Sequence, residues 1–278
     1  MSSTLGLRDI NYYFCNSLCI FIENFSISNM ICLMDQYEIL KSMLDQSNRI
    51  VFFTGAGISV PSGIPDFRSA DGLYNQKGDT KYTPEEIISH SFYMAHKREF
   101  YSFYKDKMVY PNAKPNSAHL FIASLQDKKD VTVITQNIDG LHQEAGSKKV
   151  IELHGSVKRN YCEKCGAFYD DKYVTSSKVI PTCNKCGGDI KPDVVLYEES
   201  LNEEDINNAI SAIMKADTMV VIGTSLVVYP AAGFIRYFKG NALIVINKTK
   251  TSYDNMCDLV INEDVTTVVE RLHEKENV

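Results

Sequence analysis

The 278-residue sequence lacks an apolar stretch approaching the roughly 18 residues that a membrane-spanning helix needs, which argues against a helical membrane protein. It also lacks an excess of basic residues. The formal net charge is -6, whereas a dedicated nucleic-acid binder shows a basic patch. A mildly acidic surface suits cationic partners such as lysine-rich peptides. The eight cysteines do not form a secreted disulfide framework. Four stand in two C-x-x-C pairs, while Cys15, Cys19, Cys32 and Cys257 are scattered, a usage expected of a reducing, cytoplasmic compartment. No repeat or low-complexity tract is present. Residues 11–34 are apolar and aromatic but have neither a basic leading region nor a small-residue cleavage site, so a signal peptide is not indicated. Residues 1–33 read as an extension, either weakly ordered or lying upstream of a true start at Met34.

What is present is ordinary for a globular chain: 44% hydrophobic and 23% charged residues. From Met34 onward, short β-branched runs alternate with helical patterns. Strands are expected at Arg49 to Thr54, Val131 to Thr135, Lys149 to Leu153, Thr218 to Gly223, Ala242 to Asn247 and Asp258 to Ile261. Helices are expected at Asp35 to Gln46, Glu85 to His90, Lys97 to Met108, Ser117 to Leu125, Glu203 to Lys215, Ala231 to Phe238 and Val265 to Glu276. The strands are nearly continuous apolar runs, as in a parallel sheet covered on both faces. The fold class is therefore α/β, a Rossmann-like parallel sheet built from 34–69, 113–156 and 191–278. Two segments do not fit that sheet: a Tyr-rich helical excursion at 70–112, and a module at 157–190 that holds the C-x-x-C pairs. A cleft between the sheet and these excursions is where a ligand belongs.

The first strand ends in Gly55-Ala56-Gly57-Ile58-Ser59. Glycines there let the backbone approach a diphosphate, and a following helix start would offer free N–H groups. Alone the signal is weak. Val60 stands where the dinucleotide fingerprint has its third glycine or alanine, and no acidic ribose ligand ends the next strand. A tight turn would explain the glycines equally. Pro61 to Arg68 then adds a carboxylate, an aromatic ring and a guanidinium in Asp66-Phe67-Arg68. Gln136, Asn137, Asp139 and His142 cluster beyond the second strand, where capping explains one residue but not the set. His154 closes the third strand beside Gly155, well placed as a general base. Gly223-Thr224-Ser225 and Asn247-Lys248 end later strands and offer small polar groups for ribose and phosphate.

Cys162 and Cys165 are followed, seventeen residues on, by Cys183 and Cys186. That spacing lies in the zinc-ribbon range, and four cysteines close the coordination shell, so a structural zinc ion is expected. A redox pair is the competing reading for one C-x-x-C, but rarely for two at this spacing.

Together these motifs closely resemble the sirtuin family, in the family's order and over roughly residues 36–275. The matching pieces are Gly55 to Ser59, Gly63 to Arg68, Thr135 to His142, His154-Gly155, the four cysteines and Gly223 to Pro230. The resemblance implies an NAD-dependent protein-lysine deacylase that yields nicotinamide, O-acyl-ADP-ribose and free lysine. It implies that His154 takes a proton from the ribose hydroxyls, while Asn137 and Asp139 position the ribose and the nicotinamide amide. Asp66 and Ile138 would line the nicotinamide pocket, Phe67 would shield the reacting face, and Arg68 would steady the loop and phosphates. Gly55, Ala56, Gly57, Ser59, Val60, Gln136, Gly223, Thr224, Ser225, Asn247 and Lys248 would contact the dinucleotide, with Val265 near the adenine. Acyl-lysine would thread between Val195, Leu196 and Tyr197 on one side and Val227, Val228 and Tyr229 on the other, its peptide pairing as an added strand.

One departure stands beside the groove: Tyr197-Glu198-Glu199 replaces the family's usual Phe-Gly-Glu, and this glutamate would restrict the groove or favour basic peptides. Tyr104 stands where the succinyl- and malonyl-removing branch has an arginine, so neutral acyl groups are expected, acetyl first. The competing functions are mono-ADP-ribosyl transfer from the same site and a non-catalytic NAD-sensing module. An intact His154 and an apolar acyl channel favour deacylation.

Overall fold

A computed structural model describes residues 35–67, 72 and 81–276. The extension at 1–33, the side chain of Arg68 and much of the start of the 70–112 excursion lie outside the described residues.

The large sheet has six parallel strands: β1 (Arg49–Thr54), β2 (Asp130–Thr135), β3 (Val150–Glu152), β7 (Thr218–Ile222), β8 (Ala242–Ile246) and β9 (Leu259–Ile261). Their order is β3-β2-β1-β7-β8-β9. Successive side chains point to opposite faces of a strand, and the buried runs divide accordingly. Ile50 and Phe52 of β1, Val220 and Ile222 of β7, and Ile244 and Ile246 of β8 share one core with helices Gln36–Gln46, Ser117–Leu125 and Val265–Glu276. The alternate residues Val51, Phe53, Met219, Val221, Leu243 and Val245 share the other with helix Glu203–Lys215 and the 3-10 helix Ala231–Tyr237. The middles of β1, β7 and β8 are apolar on both faces because they contribute to both cores, while polar residues such as Arg49, Thr54 and Thr218 stand at strand ends.

The two excursions are not independent. Strands β4 (Gly155–Cys162), β5 (Phe168–Tyr169) and β6 (Ile190–Val194) form a small antiparallel sheet. Val157, Tyr169, Val174, Ile190 and Val194 of this module share a third core with Tyr93, Phe100, Tyr101 and Tyr104 of the helical excursion. The Tyr101 hydroxyl donates to the Ile190 carbonyl, and Lys97 Nζ bridges Glu163 and Asp189 at 2.9 and 2.7 Å.

Three expected helices differ. Glu85 to His90 is divided into Pro84–Ile87 and His90–Ala95, because the Ser89 side chain accepts from Phe92 N and restarts the helix. Lys97 to Met108 is α-helical only to Phe103 and continues as a wide π-helical turn, Tyr104–Met108, from which Lys105 reaches Ser177 and Val179. The 231–237 segment is 3-10 and contains Gly233.

Candidate functional site

β2 and β3 lie on one side of β1, and β7, β8 and β9 on the other. The carboxyl ends of β1 and β7 therefore flank the point where the chain's winding reverses, the usual ligand crevice of an open α/β sheet. There the backbones nearly touch. Gly57 N donates to Gly223 O at 2.8 Å, and a Cβ on Gly57 would lie 2.6 Å from Gly223 Cα. Gly223 has φ +61, and its own added Cβ would meet Ile58 N at 2.4 Å. The glycines thus answer a close approach and not a turn alone. The expected helix start after β1 is replaced by two 3-10 turns, Ala56–Ile58 and Val60–Ser62. The Ala56 amide has no partner among the described residues, so it remains an available donor on the rim.

Beyond β2 the polar set forms one chain. Asn137 Nδ2 donates to Gly55 O at 3.2 Å and to Ser59 Oγ at 3.0 Å. Ser59 Oγ in turn donates to Asp139 Oδ2 at 2.7 Å, and Leu141 N donates to Asp139 Oδ1 at 2.9 Å. Ser59 is 1% exposed, so it acts from beneath the surface as the link between Asn137 and Asp139. Burial pushes the Asp139 carboxyl above its ordinary pKa, against the opposing hydrogen bonds from Leu141 and Ser59.

His154 follows β3, half-buried. Its Nδ1 lies 2.8 Å from Gln136 O. A carbonyl only accepts, so Nδ1 carries the proton and Nε2 keeps its lone pair. Burial lowers the pKa, with the carbonyl acting in the opposite direction, and the imidazole is held neutral and basic at Nε2. The His154 carbonyl also accepts from Val195 N at 3.0 Å, which ties this residue to the groove segment.

The other expected positions divide by what holds them. Gln136 Nε2 donates to Thr224 Oγ1 at 3.2 Å, joining the ends of β2 and β7 across β1. Ser225 is exposed, while Asn247 bends back to Thr249 O at 2.7 Å. Lys248 pairs with Asp264 at 2.9 Å. The Val265 side chain is 6% exposed inside the first core. Ile138 and Phe67 pack against the third core, and Val60 and Asp66 lie half-buried on the rim. Of the residues expected to flank acyl-lysine, Val195 is half-buried, Leu196 is buried in the third core, and Tyr197, Val227 and Tyr229 are exposed with Val228 between. Leu196 N donates to Glu199 Oε2 and Tyr197 N to Ile88 O, so these two amides are already paired.

Asn116 escaped the sequence reading. Its Nδ2 donates to Ile58 O at 2.8 Å and to Ser62 Oγ at 2.9 Å, propping the loop after β1, while its Oδ1 caps helix Ser117–Leu125. The available signal was Pro115-Asn116 immediately before an apolar helical run.

The four sulfurs of Cys162, Cys165, Cys183 and Cys186 all lie within 4.8 Å of one another, with Cys162–Cys186 at 3.5 Å and Cys165–Cys183 at 3.6 Å. Zinc–thiolate bonds of about 2.3 Å imply tetrahedral edges of about 3.8 Å, so the donor set fits zinc. Gly166 and Gly187 turn each knuckle at φ +69 and +73 and return their amides to the carbonyls of Cys162 and Cys183. The four thiols are placed to bind a structural zinc ion.

A sequence model of the Sir2 family matches residues 55–230. The chain belongs to the Sir2 family. Among similar Sir2 relatives is an NAD-dependent protein deacetylase of Clostridium perfringens, 56% identical over 84% of this chain and 97% of its own length. Another, of Clostridium acetobutylicum, is 55% identical over 86% of this chain and 98% of its own length. Among solved structures, Sir2 bound to an acetylated peptide superposes with a TM-score of 0.75 at 39% identity, covering 88% of this chain and 99% of that one. A Sir2 complex with a p53 peptide and NAD+ gives 0.74 at 40% identity, with the same coverage. The Rossmann-like six-stranded sheet with its cysteine module is thus the Sir2 fold.

Proposed function

We infer that this chain is an NAD-dependent protein-lysine deacetylase that removes neutral acyl groups, acetyl above all, from lysine side chains. The observation that carries the reading is the coupled set at the strand ends: a neutral His154 with a free Nε2, beside the Asn137–Ser59–Asp139 chain. NAD, bound as co-substrate, supplies the electrophilic ribose carbon and carries the acyl group away as O-acyl-ADP-ribose.

The chain's own residues do the rest. The Ala56 amide, Gly55, Gly57, Gly223 and Thr224 form a rim on which a diphosphate approaches the backbone. Asn137 and Asp139, fixed through Ser59, orient the ribose and the carboxamide. Phe67 and Ile138 exclude water from the reacting face. His154 Nε2 accepts the proton of a ribose hydroxyl, and Nδ1 stays bonded to Gln136 O so that the ring keeps its tautomer. Val195 to Tyr197 and Val227 to Tyr229 flank the acyl-lysine. Residues 34–69, 113–156 and 191–278 serve as the NAD-binding domain, and the two excursions complete the groove.

Tyr104 supports the preference for uncharged acyl groups. It is 1% exposed among Phe100 and Tyr101, and a phenol, unlike an arginine, offers no cation to a second carboxylate. No helix among the described residues is long and apolar enough to cross a membrane. The partners in this reading are acyl-lysine proteins in the cytoplasm, with no nucleic acid and no membrane involved.

The test is product mass spectrometry with NAD and one peptide in acetyl and succinyl forms. The reading expects O-acetyl-ADP-ribose and free lysine, with acetyl turned over faster. ADP-ribosylated protein would indicate the transferase, and an absence of products would indicate a binding module.

A further inference from the structure

Glu198 stands out because it is one of two non-glycine residues with positive φ among the described residues, at φ 75. A residue with a Cβ adopts that conformation only where its surroundings hold it there. What holds it is visible. Glu198 Oε2 accepts from Ser91 N at 2.9 Å, and Oε1 accepts from Ser91 Oγ at 3.0 Å. Ser91 lies in the first turn of helix His90–Ala95, whose leading amides lack partners within the helix.

The residues on either side are fastened separately. Tyr197 N donates to Ile88 O, and His90 N donates to Tyr197 O, each at 3.0 Å. Glu199 accepts from Leu196 N at 2.9 Å and Lys191 Nζ at 3.2 Å and faces His90 Nδ1 at 2.8 Å. Both of these groups of Tyr197 are thus paired, whereas neither the backbone amide nor the carbonyl of Glu198 has a backbone partner among the described residues. They stand at the edge expected to receive the peptide strand.

We propose that the Glu198 side chain is a latch: by gripping Ser91 of the helical excursion, it holds its own backbone in the left-handed conformation that presents the groove edge to the acyl-lysine peptide. Glu198 is thus a positioning residue, not a charge that repels or selects peptides, because its carboxylate is engaged across the groove wall. The proposal rests on the deacetylase reading.

The experiment uses the full chain with NAD and an acetyl-lysine peptide, with peptide affinity measured in parallel by fluorescence anisotropy. Glu198→Ala removes the grip but keeps the Cβ, so peptide KM and Kd should both rise about tenfold while kcat and the NAD KM stay within about twofold. Glu198→Gly removes the grip but tolerates the backbone conformation, so its loss should be smaller, about threefold. Ser91→Ala should weaken peptide binding in the wild type and add nothing in the Glu198→Ala background. Unchanged peptide affinity in Glu198→Ala, or a fall in kcat without a change in peptide KM, would overturn the latch. Wild-type chain that binds peptide but turns nothing over would refute the deacetylase reading, and anisotropy would still decide on the latch.

Discussion

The carboxyl end of the large sheet and the unit formed by the two excursions are built on different principles. At the sheet, the geometry starts from backbone: Gly57 against Gly223, carbonyls that orient His154 and Asn137, and an open amide at Ala56. In the smaller unit, order rests on side chains: stacked aromatics, the Lys97 bridge to Glu163 and Asp189, the Glu198 grip on Ser91 and four thiols around one metal position. At Gly55, Gly57 and Gly223 this sheet end has no room for an added Cβ. The smaller unit depends on long-range links that can be cut one at a time.

The sharpest way to break this comparison is Gly223→Val. Its Cβ would fall 2.4 Å from Ile58 N at a φ that β-branched residues avoid, so NAD binding should be lost and melting lowered, as calorimetry and thermal denaturation would read. Normal NAD affinity would show that the close approach is not required.

Cys183→Ser comes next. Structural zinc contributes folding energy directly, so the variant should lose zinc and melt earlier, with the excursions opening before the large sheet. Hydrogen exchange would locate the loss. Equal loosening of β1 and β7 would show that the two regions are one cooperative unit.

A smaller effect lies beneath the sheet end. His119 and His142 are buried with their rings 4.9 Å apart, and burial pushes their pKa values down to about 4 and about 3. The unfolded chain protonates histidine near 6.5, so it binds the extra protons first. Stability is then complete above about pH 6.5 and falls as pH drops toward the folded values, by up to about 1.4 kcal/mol per pH unit for each histidine. Melting between pH 7 and 5, with zinc content followed alongside, should show that decline, and a flat profile would contradict it.

The same contrast explains what the sequence revealed. All six parallel strands were legible to within about a residue, because burial on both faces makes continuous apolar runs whose carboxyl ends carry the polar motifs. The polar residues expected at the strand ends are linked in space, Asn137 to Asp139 through Ser59, Thr224 to Gln136, and His154 to the Gln136 carbonyl. The zinc module was legible because its ligands are consecutive pairs. The shared third core was not, since Tyr93, Tyr101 and Tyr104 meet β4 and β6 only through chain distant in sequence. Nor was the break at Ser89, where a cap and a pairing with Tyr197 interrupt an otherwise helical pattern. Glu198 was visible as a departure, but its partner Ser91, over a hundred residues away, was not.

The central claim is that His154 serves as the base after nicotinamide has left, and nicotinamide exchange in His154→Ala tests it most directly. With acetyl-peptide and labelled nicotinamide, the variant should bind NAD and still exchange nicotinamide, while deacetylation falls by on the order of 10² to 10⁴. Deacetylation near the wild-type rate, or loss of exchange and turnover together with intact NAD binding, would contradict the account.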